Sequence, residues 1–263
     1  MEKEVQTDVT KNIENIETQR IEPTQLEVVQ NDALTIEEIE TGLVYNGSMV
    51  RVADISEEFR KVIEPILRMY NAAMNVTTAR IEIIKDESRY KNVRCPVHHI
   101  DTRLKSAGSI LGKLQKKNLD LTIGAACNNI YDIAGVRIVC PYIKDVYFIR
   151  DRILAQDDIE VMKVKDYIEH PKENGYRSYH MIVEIPVFFS KGKTPMRAEI
   201  QIRTNGMDFW ATLEHQLRYK QNIEEMDGYE DVSNELLNCA RTVIDMDNEM
   251  QRIKNKIGQF HDI

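Results

Sequence analysis

Polar side chains that could bind and activate a charged substrate alternate along the segment RAEIQIRT (197–204). With the period of two that a β-strand has, Glu199, Gln201 and Arg203 share one face and the aliphatic residues share the other. A carboxylate, an amide and a guanidinium on one face are more than packing requires. We therefore interpret this strand as part of a binding site.

A second polar segment, PKENGYRSYH (171–180), leads into the apolar run MIVEIPVFF (181–189). We interpret it as a glycine-containing loop that enters a strand, with Tyr176, Ser178 and His180 on one face and Tyr179 on the opposite, core face. Two such strands would display a carboxylate, several cations and a tyrosine that can stack. This set of groups suits a highly charged ligand with a flat ring, such as a nucleotide. A simpler interpretation of Arg177, and of Arg203 on the other strand, is a surface ion pair.

Cations gather at 91–117, where Pro96 ends regular structure and a helix is predicted to begin near Ser106. They are Arg103, Lys105, Lys113, Lys116 and Lys117. The start of a helix together with basic side chains can hold a polyphosphate, and a solvated basic face is the alternative. The stretch GSILGK lacks the spacing of a phosphate-binding P-loop.

A further carboxylate, Asp132, precedes the predicted strand in DIAGVRI (132–138). A single aspartate before a strand is usually a turn residue. Together with Glu199, however, it supplies a second oxygen ligand of the kind that a divalent cation prefers.

Charge is distributed unevenly along the 263 residues, whose formal net charge is −8. The first 50 residues hold 11 acidic and 3 basic residues, whereas the other 213 hold 32 of each sign. The sequence thus gives no basic footprint for a nucleic acid. It shows no stretch of roughly 20 apolar residues and no apolar signal core. The four cysteines have no metal-ligand spacing, so we expect a reduced, cytoplasmic protein without a membrane segment.

Apolar periodicity predicts three long helical regions. The first covers 55–90, with a kink or a break at Pro65. The second follows residue 204, with Met207, Trp210, Ala211, Leu213 and Leu217 on its buried side. The third covers 232–260, with a stripe of Val232, Leu236, Leu237, Ala240, Val243, Met250, Ile253 and Ile257. We divide the chain into an acidic extension (1–48, with a short helix at 34–42), a central domain (49–230) and a C-terminal helix (231–263) for packing or oligomerisation.

Four motifs in order, DIAGVRI, PKENGYRSYH, EIQIRT and MDFWATLEH, resemble the synthetase domain of the RelA/SpoT family. The short chain is similar to the small alarmone synthetases of the RelQ and RelP type. The resemblance implies an α+β fold, in which a mixed β-sheet of the nucleotidyltransferase-like type is flanked by helices, with long N- and C-terminal helices. It also implies transfer of the β,γ-pyrophosphate of ATP to the 3′-OH of GTP or GDP, with release of AMP and dependence on Mg²⁺.

The resemblance assigns site residues by motif position. Asp132 and Glu199 would hold the metal, and Glu199 would also polarise the attacking 3′-OH. The residues expected to bind ATP are Arg103, Lys105, Lys113, Arg137 and Lys165, the last two of which would enclose the adenine. The residues expected to bind GTP or GDP are Lys172, Tyr176, His180, Gln201 and Asp208. In that set Tyr176 would stack on guanine, and Asp208 would read the guanine edge.

The resemblance further implies a homotetramer, with an alarmone or single-stranded RNA as a candidate allosteric ligand. Hydrolysis of the product is not expected, because the only His-Asp pair in the sequence is His261-Asp262. Two alternatives stay open at this point. One is a toxin-like relative that pyrophosphorylates tRNA or makes adenosine alarmones, and the other is a catalytically silent regulator that binds nucleotides or RNA.

Overall fold

The computed structural model describes residues 43–45, 48–50, 52–91, 94–221 and 228–261. Within these ranges the chain forms seven strands and six helices. The strands are β1 (Leu43–Tyr45), β2 (Ser48–Val50), β3 (His99–Leu104), β4 (Ala134–Cys140), β5 (Glu160–Asp166), β6 (Tyr179–Phe189) and β7 (Gly192–Thr204). The helices are α1 (Val52–Tyr90), α2 (Ala107–Lys116), α3 (Ile123–Asn129), α4 (Ile143–Leu154), α5 (Asn205–Gln221) and α6 (Tyr229–His261).

The acidic extension that the sequence predicts lies mostly outside the described residues, as does the short helix expected at 34–42. Strands β1 and β2 form a separate antiparallel pair just before α1. No helix in the described part of the chain combines the length and the apolar character needed to cross a membrane.

The described residues fall into two compact units. The first unit comprises the chain up to Ala72 together with Leu104–Ile133 and Phe188–Thr194. The second comprises Ala73–Arg103, Ala134–Val187 and Pro195–Ile263, and thus contains most of the large sheet and the last three helices.

Helix α1 is the long N-terminal helix expected from apolar periodicity. Its residues at three- and four-residue spacing are buried as predicted: Phe59, Ile63, Ile66, Tyr70 and Met74. Of the predicted kink or break at Pro65, the break is wrong, because the helix runs from Val52 to Tyr90 with the proline inside it. A proline removes one backbone donor, and apolar contacts on both sides of it maintain the helix here.

The large sheet has the strand order β3-β4-β7-β6-β5. It is mixed, since β4 runs parallel to β7 whereas β5 runs antiparallel to β6. The register sets Gly135 beside Glu199 and Arg137 beside Gln201. In the same way it sets Lys165 beside His180. The sheet thus brings polar residues from four strands into adjacent positions and confirms the predicted α+β class.

Strand β7 has the predicted alternation. Ala198, Ile200 and Ile202 are fully buried, whereas Glu199 and Gln201 are half-buried. Strand β3 was not predicted, because the sequence indicated only that regular structure stops at Pro96 and resumes as a helix. Ser106 does begin that helix, and its Oγ accepts a hydrogen bond from the amide of Ser109 at 3.2 Å, which is a standard N-cap.

Helix α5 follows β7 directly and buries Met207, Trp210 and Ala211 as predicted. The expectation that Leu213 and Leu217 are buried is wrong, since each is 43% exposed. Glu214 is buried in this part of the helix instead, and its Oε1 accepts a hydrogen bond from the side-chain amide of Asn174 at 3.1 Å. The loop that contains Asn174 therefore determines which side of α5 is covered.

Helix α6 confirms the predicted long C-terminal helix but not the predicted buried stripe. Ala240 is buried, as expected, yet the other buried residues are the polar Asp247 and Gln251. Four members of the predicted apolar stripe are exposed: Val232, Met250, Ile253 and Ile257. The side of α6 that packs against the rest of the second unit is therefore partly polar.

Candidate active site

The guanidinium of Arg203, near the end of β7, is the centre of the polar group in the second unit. Its NH2 donates to the hydroxyl of Tyr176 at 2.5 Å and to Oε1 of Gln201 at 2.7 Å. Its NH1 donates to Oδ1 of Asp208 at 3.2 Å, and its Nε donates to Oγ of Ser178 at 3.3 Å. One buried side chain thus holds residues from β7, α5 and the loop before β6.

The contacts of Arg203 continue beyond Tyr176. Arginine has only donors, so the oxygen of Tyr176 accepts from it, and the same hydroxyl lies 2.8 Å from Nε2 of His180. Nδ1 of the same imidazole lies 3.4 Å from Oε1 of Glu199. The resulting series runs from Arg203 through Tyr176 and His180 to Glu199.

Glu199 has a second neighbour in its own strand. The side-chain amide of Gln201 donates to Oε2 of Glu199 at 2.8 Å and accepts from Arg203 on its other side. An amide is a neutral donor, so this contact orients the carboxylate without cancelling its charge. The sequence placed Glu199, Gln201 and Arg203 on one face, and the structure shows that they contact one another.

Three rings lie together on strand β6 and on the loop between β5 and β6. Tyr167 meets Tyr176 edge-on, with centroids 5.9 Å apart, and meets His180 in the same way at 5.3 Å. The ammonium of Lys172 lies 4.8 Å from the centroids of both tyrosine rings. Lys165 also lies near Tyr167, at 5.7 Å. Sequence reasoning missed Tyr167, which directly follows the last residue of β5.

Arg137 on β4 contacts Asp208, another residue singled out from the sequence. Its NH1 donates to Oδ1 of Asp208 at 3.1 Å and lies 3.9 Å from Asp101. Among the described residues, His99, Asp101 and Asp208 form the group whose ligand atoms are close enough to hold a metal. Arg137 already supplies a positive charge to both aspartates, so we do not assign an ion to this group.

Two residues that the sequence predicts to bind ATP are exposed on strands of the second unit. Arg103 on β3 and Lys165 on β5 both point their side chains towards solvent. A Cβ added to Gly135 would lie 3.4 Å from the carbonyl oxygen of Arg103, which is an ordinary van der Waals contact.

The first unit contains a separate cluster around Asp132. Lys105 donates to Oδ2 of Asp132 at 2.9 Å, and Lys113, from α2, donates to Oδ1 at 2.7 Å. Burial alone would raise the pKa of Asp132, but the hydrogen bonds from Lys113 and Lys105 outweigh it and hold that pKa below its usual value. Asp132 is therefore ionised, and both of its oxygens face ammonium groups.

A cavity of about 570 Å³ lies at the beginning of α2 in the same unit. Its lining includes Arg60 and Arg68 from α1 and Ser106, the first residue of the helix cap. Neither arginine was singled out from the sequence, because both lie within the apolar periodicity of α1. Glu64 also lines the cavity and accepts from Arg68 at 3.0 Å, and none of the five cations singled out from the sequence is among its described lining residues.

The interpretation of Arg177 and Arg203 as surface ion pairs is wrong. Their exposed fractions are 8% and 6%, respectively. Tyr179 is buried, as predicted for a core residue, and the buried Trp210 donates from Nε1 to the carbonyl oxygen of Leu236 at 3.1 Å. Both arginines are therefore covered by protein.

Comparison with known proteins identifies relatives over most of the chain. Residues 102–224 match the family model described as a region found in RelA/SpoT proteins. The GTP pyrophosphokinase YwaC of Bacillus subtilis is 39% identical over 191 residues, which is 73% of this chain and 90% of that protein. The GTP pyrophosphokinase YjbM of the same species is 33% identical over 198 residues, or 74% of this chain and 90% of that protein.

Solved structures give the same result. Small alarmone synthetase 1 from Bacillus subtilis, bound to its product pppGpp, superposes with a TM-score of 0.68 at 32% identity. The match covers 75% of this chain and 99% of that one. Small alarmone synthetase 2 from the same species has a TM-score of 0.66 at 38% identity, and the match covers 73% of this chain and 98% of that one.

Asp132 gives a prediction for the dependence of stability on pH. The folded pKa of Asp132 lies below its unfolded value of about 3.9, so its ion pairs stabilise the fold fully above that pH and lose this effect as the pH falls through the folded pKa. Asp132→Asn should lower the free energy of unfolding by about 1–2 kcal/mol at pH 7. The difference from the parent protein should stay constant down to about pH 5 and narrow below about pH 4.

Urea unfolding of both proteins at pH 7, 5, 4 and 3 measures this difference. Asp120→Asn is the matched control, because Asp120 is exposed in the same unit. A difference between Asp132→Asn and the parent protein that stays the same at pH 3 and pH 7 would contradict the prediction.

Proposed function

The chain belongs to the RelA/SpoT family, and on this basis we propose that it is a small alarmone synthetase, a GTP pyrophosphokinase. It transfers the β,γ-pyrophosphate of ATP to the 3′-OH of GTP or GDP and releases AMP. The observation that carries the proposal is the series of contacts from Arg203 through Tyr176 and His180 to Glu199, whose last step is a separation of 3.4 Å between Nδ1 of His180 and Oε1 of Glu199. It fixes a ring that can stack on a base and a carboxylate that can accept a proton within one rigid group.

Recognition of the acceptor follows from the residues around Tyr176. Its ring would stack on guanine and would give up part of its contact with the ammonium of Lys172. That ammonium could then contact the phosphates of the acceptor. Both Arg137 and Arg203 donate to Oδ1 of Asp208, so Oδ2 is the atom proposed to accept from N1–H and N2–H₂ of guanine. Adenine has no such pair of donors. Gln201, held between Arg203 and Glu199, completes the polar face.

Glu199 is proposed to receive the proton of the attacking hydroxyl. The 3′-oxygen forms a bond to the β-phosphorus of ATP, the bond from that phosphorus to the α,β-bridging oxygen breaks, and AMP leaves. Gln201 donates to Oε2 of the carboxylate and Nδ1 of His180 lies 3.4 Å from Oε1, and these two contacts orient it. A positioned general base of this kind contributes about 10²–10⁴-fold to a rate.

Arg137 can serve the adenine of ATP without leaving Asp208. A guanidinium donates hydrogen bonds along its edge and stacks through its face. The edge of Arg137 is engaged by Asp208 at 3.1 Å, which would hold the face in a constant orientation for the ring. Lys165 is proposed on the other side of the adenine, and Arg103 near the phosphates.

Lys105 and Lys113 are proposed to bind the phosphates of ATP. Both now neutralise Asp132, so a polyphosphate would share or replace a carboxylate as their partner. Transfer of a pyrophosphoryl group requires charge stabilisation and alignment more than covalent chemistry. Paired lysines of this kind supply that stabilisation in the first unit.

The divalent ion is proposed to be Mg²⁺, with Asp132 and Glu199 as the candidate ligands. Their donor atoms suit it, because Mg²⁺ prefers carboxylate oxygens, and the lowered pKa of Asp132 keeps that carboxylate ionised. When bound, the ion would neutralise charge on the transferred group.

The proposal extends to location and assembly. We propose a cytoplasmic location, because the proposed substrates are ATP and GTP. The exposed apolar residues on α6, namely Val232, Met246, Met250, Ile253 and Ile257, support a homotetramer formed through this helix. An alarmone or a single-stranded RNA is kept as a candidate allosteric ligand of that assembly.

The decisive experiment incubates the purified protein with ATP, Mg²⁺ and one acceptor at a time. We expect AMP to appear in equal amount with a 3′-pyrophosphorylated guanosine when GTP or GDP is present. Labelled ATP with tRNA and with adenosine nucleotides tests the toxin-like alternative in the same assay. Absence of AMP with every acceptor, despite nucleotide binding, would favour a silent regulator and refute the proposal.

Glu199→Gln tests the proposed base. The amide keeps the size of the side chain but cannot take the hydroxyl proton, so kcat should fall by about 10²–10⁴-fold. Gln201→Glu on the same strand face is a useful comparison, because it adds a carboxylate two residues away. Steady-state kinetics together with circular dichroism measure the effect. Normal turnover by the Glu199→Gln variant would contradict the assigned role.

Tyr176→Phe and Arg203→Lys test the series that holds the acceptor site. Each change removes the bond between these residues while leaving a ring or a charge, and Arg203→Lys also disturbs the contacts of Arg203 with Ser178, Gln201 and Asp208. Each single change should therefore raise the KM for GDP by about tenfold or more, since one charge-assisted hydrogen bond is worth about that much. The double variant should raise the KM by less than the product of the two single effects, because both changes remove the shared contact between Tyr176 and Arg203. Arg197→Lys is the matched control, since Arg197 lies on β7 but pairs with Glu184 at 3.6 Å. Fully additive effects on the KM would refute the series.

A further inference from the structure

Helix α6 touches the loop that precedes β6 at its tightest point. Gly175 has a φ of +86°, and a Cβ added to it would lie 2.5 Å from Cβ of Ala240 and 3.2 Å from Cδ1 of Leu237. A glycine is required both by the backbone conformation and by this close approach. The residue before Tyr176 therefore rests directly on α6.

The same helix packs behind Tyr176. Trp210 and Ala211 of α5 form a buried cluster with Ala240, and the ring of Tyr176 packs against that cluster with Val243. The indole of Trp210 donates to the carbonyl oxygen of Leu236 at 3.1 Å. Apolar contact and one hydrogen bond thus align α6 with the ring that is proposed to stack on guanine.

A buried carboxylate, Asp247, holds α6 at the junction of β7 and α5. Its Oδ2 accepts from Oγ1 of Thr204 at 2.7 Å, and the same Oγ1 accepts from the amide of Met207 at 3.1 Å. Thr204 directly follows Arg203, and Met207 directly precedes Asp208. A Cβ added to Gly206 would lie 3.0 Å from Oδ1 of Asp247. The carboxylate therefore contacts the turn that sets the positions of both site residues.

Arg177 is the second group that depends on Asp247. It lies directly after Tyr176, is 8% exposed, and its Nε and NH1 have no hydrogen-bond partner among the described residues. NH1 lies 3.9 Å from Oδ2 of Asp247. Burial lowers the pKa of Arg177 and raises that of Asp247, which shows how far each is removed from water. A buried charge without its partner is strongly unfavourable.

We propose that Asp247 is a positioning residue for the guanosine acceptor site, acting through Arg177 on Tyr176 and through Thr204 on Arg203 and Asp208. The inference rests on the proposed function, because it takes the Tyr176 ring and Asp208 as the groups that bind guanine. It extends that function by making a residue of the C-terminal helix, remote from the reacting atoms, a determinant of acceptor affinity.

Asp247→Asn in the full chain tests the proposal. The amide keeps the size and one acceptor for Thr204 but removes the charge beside Arg177. The KM and the Kd for GDP should rise about tenfold, while the KM for ATP and the kcat at saturating GDP stay within about threefold of the parent values. Steady-state kinetics and calorimetric titration with GDP measure these quantities. Asp245→Asn, which makes the same change at an exposed position two residues earlier on the helix, is the matched control and should change none of them.

The double variant Asp247→Asn with Arg177→Gln distinguishes positioning from a general loss of folded protein. Removing the unpaired charge should return the Kd for GDP to within about threefold of the parent value. A purely structural role would lower the active fraction, and hence kcat, for both substrates without changing either Kd.

Three outcomes would overturn the inference: an unchanged Kd for GDP in Asp247→Asn, an equal weakening of ATP binding, or no recovery in the double variant. Failure of the proposed function is a different result, because the parent protein would then bind no GDP in the calorimeter or form no AMP.

Discussion

The buried guanidinium of Arg203 is the interaction on which the proposed acceptor site depends. It donates to four side chains, those of Tyr176, Ser178, Gln201 and Asp208. Because arginine cannot accept a hydrogen bond, each of these groups must present an oxygen to it. One residue thus sets the orientation of the Tyr176 ring that is proposed to stack on guanine, of the Asp208 carboxylate that is proposed to read the base and, through His180 and Gln201, of the carboxylate of Glu199. Pre-organisation of this kind lowers the cost of ordering side chains when a substrate binds.

The two carboxylates proposed for the chemistry have opposite surroundings. In the first unit Asp132 meets two ammonium groups, so its charge is locally balanced before any ligand arrives. In the second unit Glu199 is oriented by an amide and an imidazole, so its charge is not cancelled by those contacts. Pairs of acids in different environments commonly take different roles. The contrast supports Glu199 as the base and Asp132 as a group that exchanges partners with the substrate phosphates and their metal.

The sequence predicted the polar face of β7 better than it predicted the surfaces that pack around it. The alternation in EIQIRT placed Glu199, Gln201 and Arg203 on one face, because strand geometry imposes a period of two. The apolar pattern of the sequence did not identify the buried face of an element where that face is polar. Strand β3 has three exposed polar positions in a row and gave no apolar signal. In α5 a buried polar residue is Glu214, which is hydrogen-bonded to Asn174. In α6 a buried polar residue is Asp247. No local pattern reveals these partners, since each lies tens of residues away in the sequence.

The polar buried face of α6 also explains why its apolar residues point outward. A long helix can present two different faces. In α6, Asp247 and Gln251 are buried against the rest of the second unit, whereas Met250, Ile253 and Ile257 are exposed. Gln251 accepts from the amide of Lys144 at 2.9 Å, and Asp247 accepts from Thr204. Directional hydrogen bonds of this kind permit one position of the helix along its axis, whereas aliphatic contacts tolerate several. Since that position also sets Ala240 against Gly175, the polar face fixes the place of α6 beside the loop that contains Gly175, and the apolar face stays exposed.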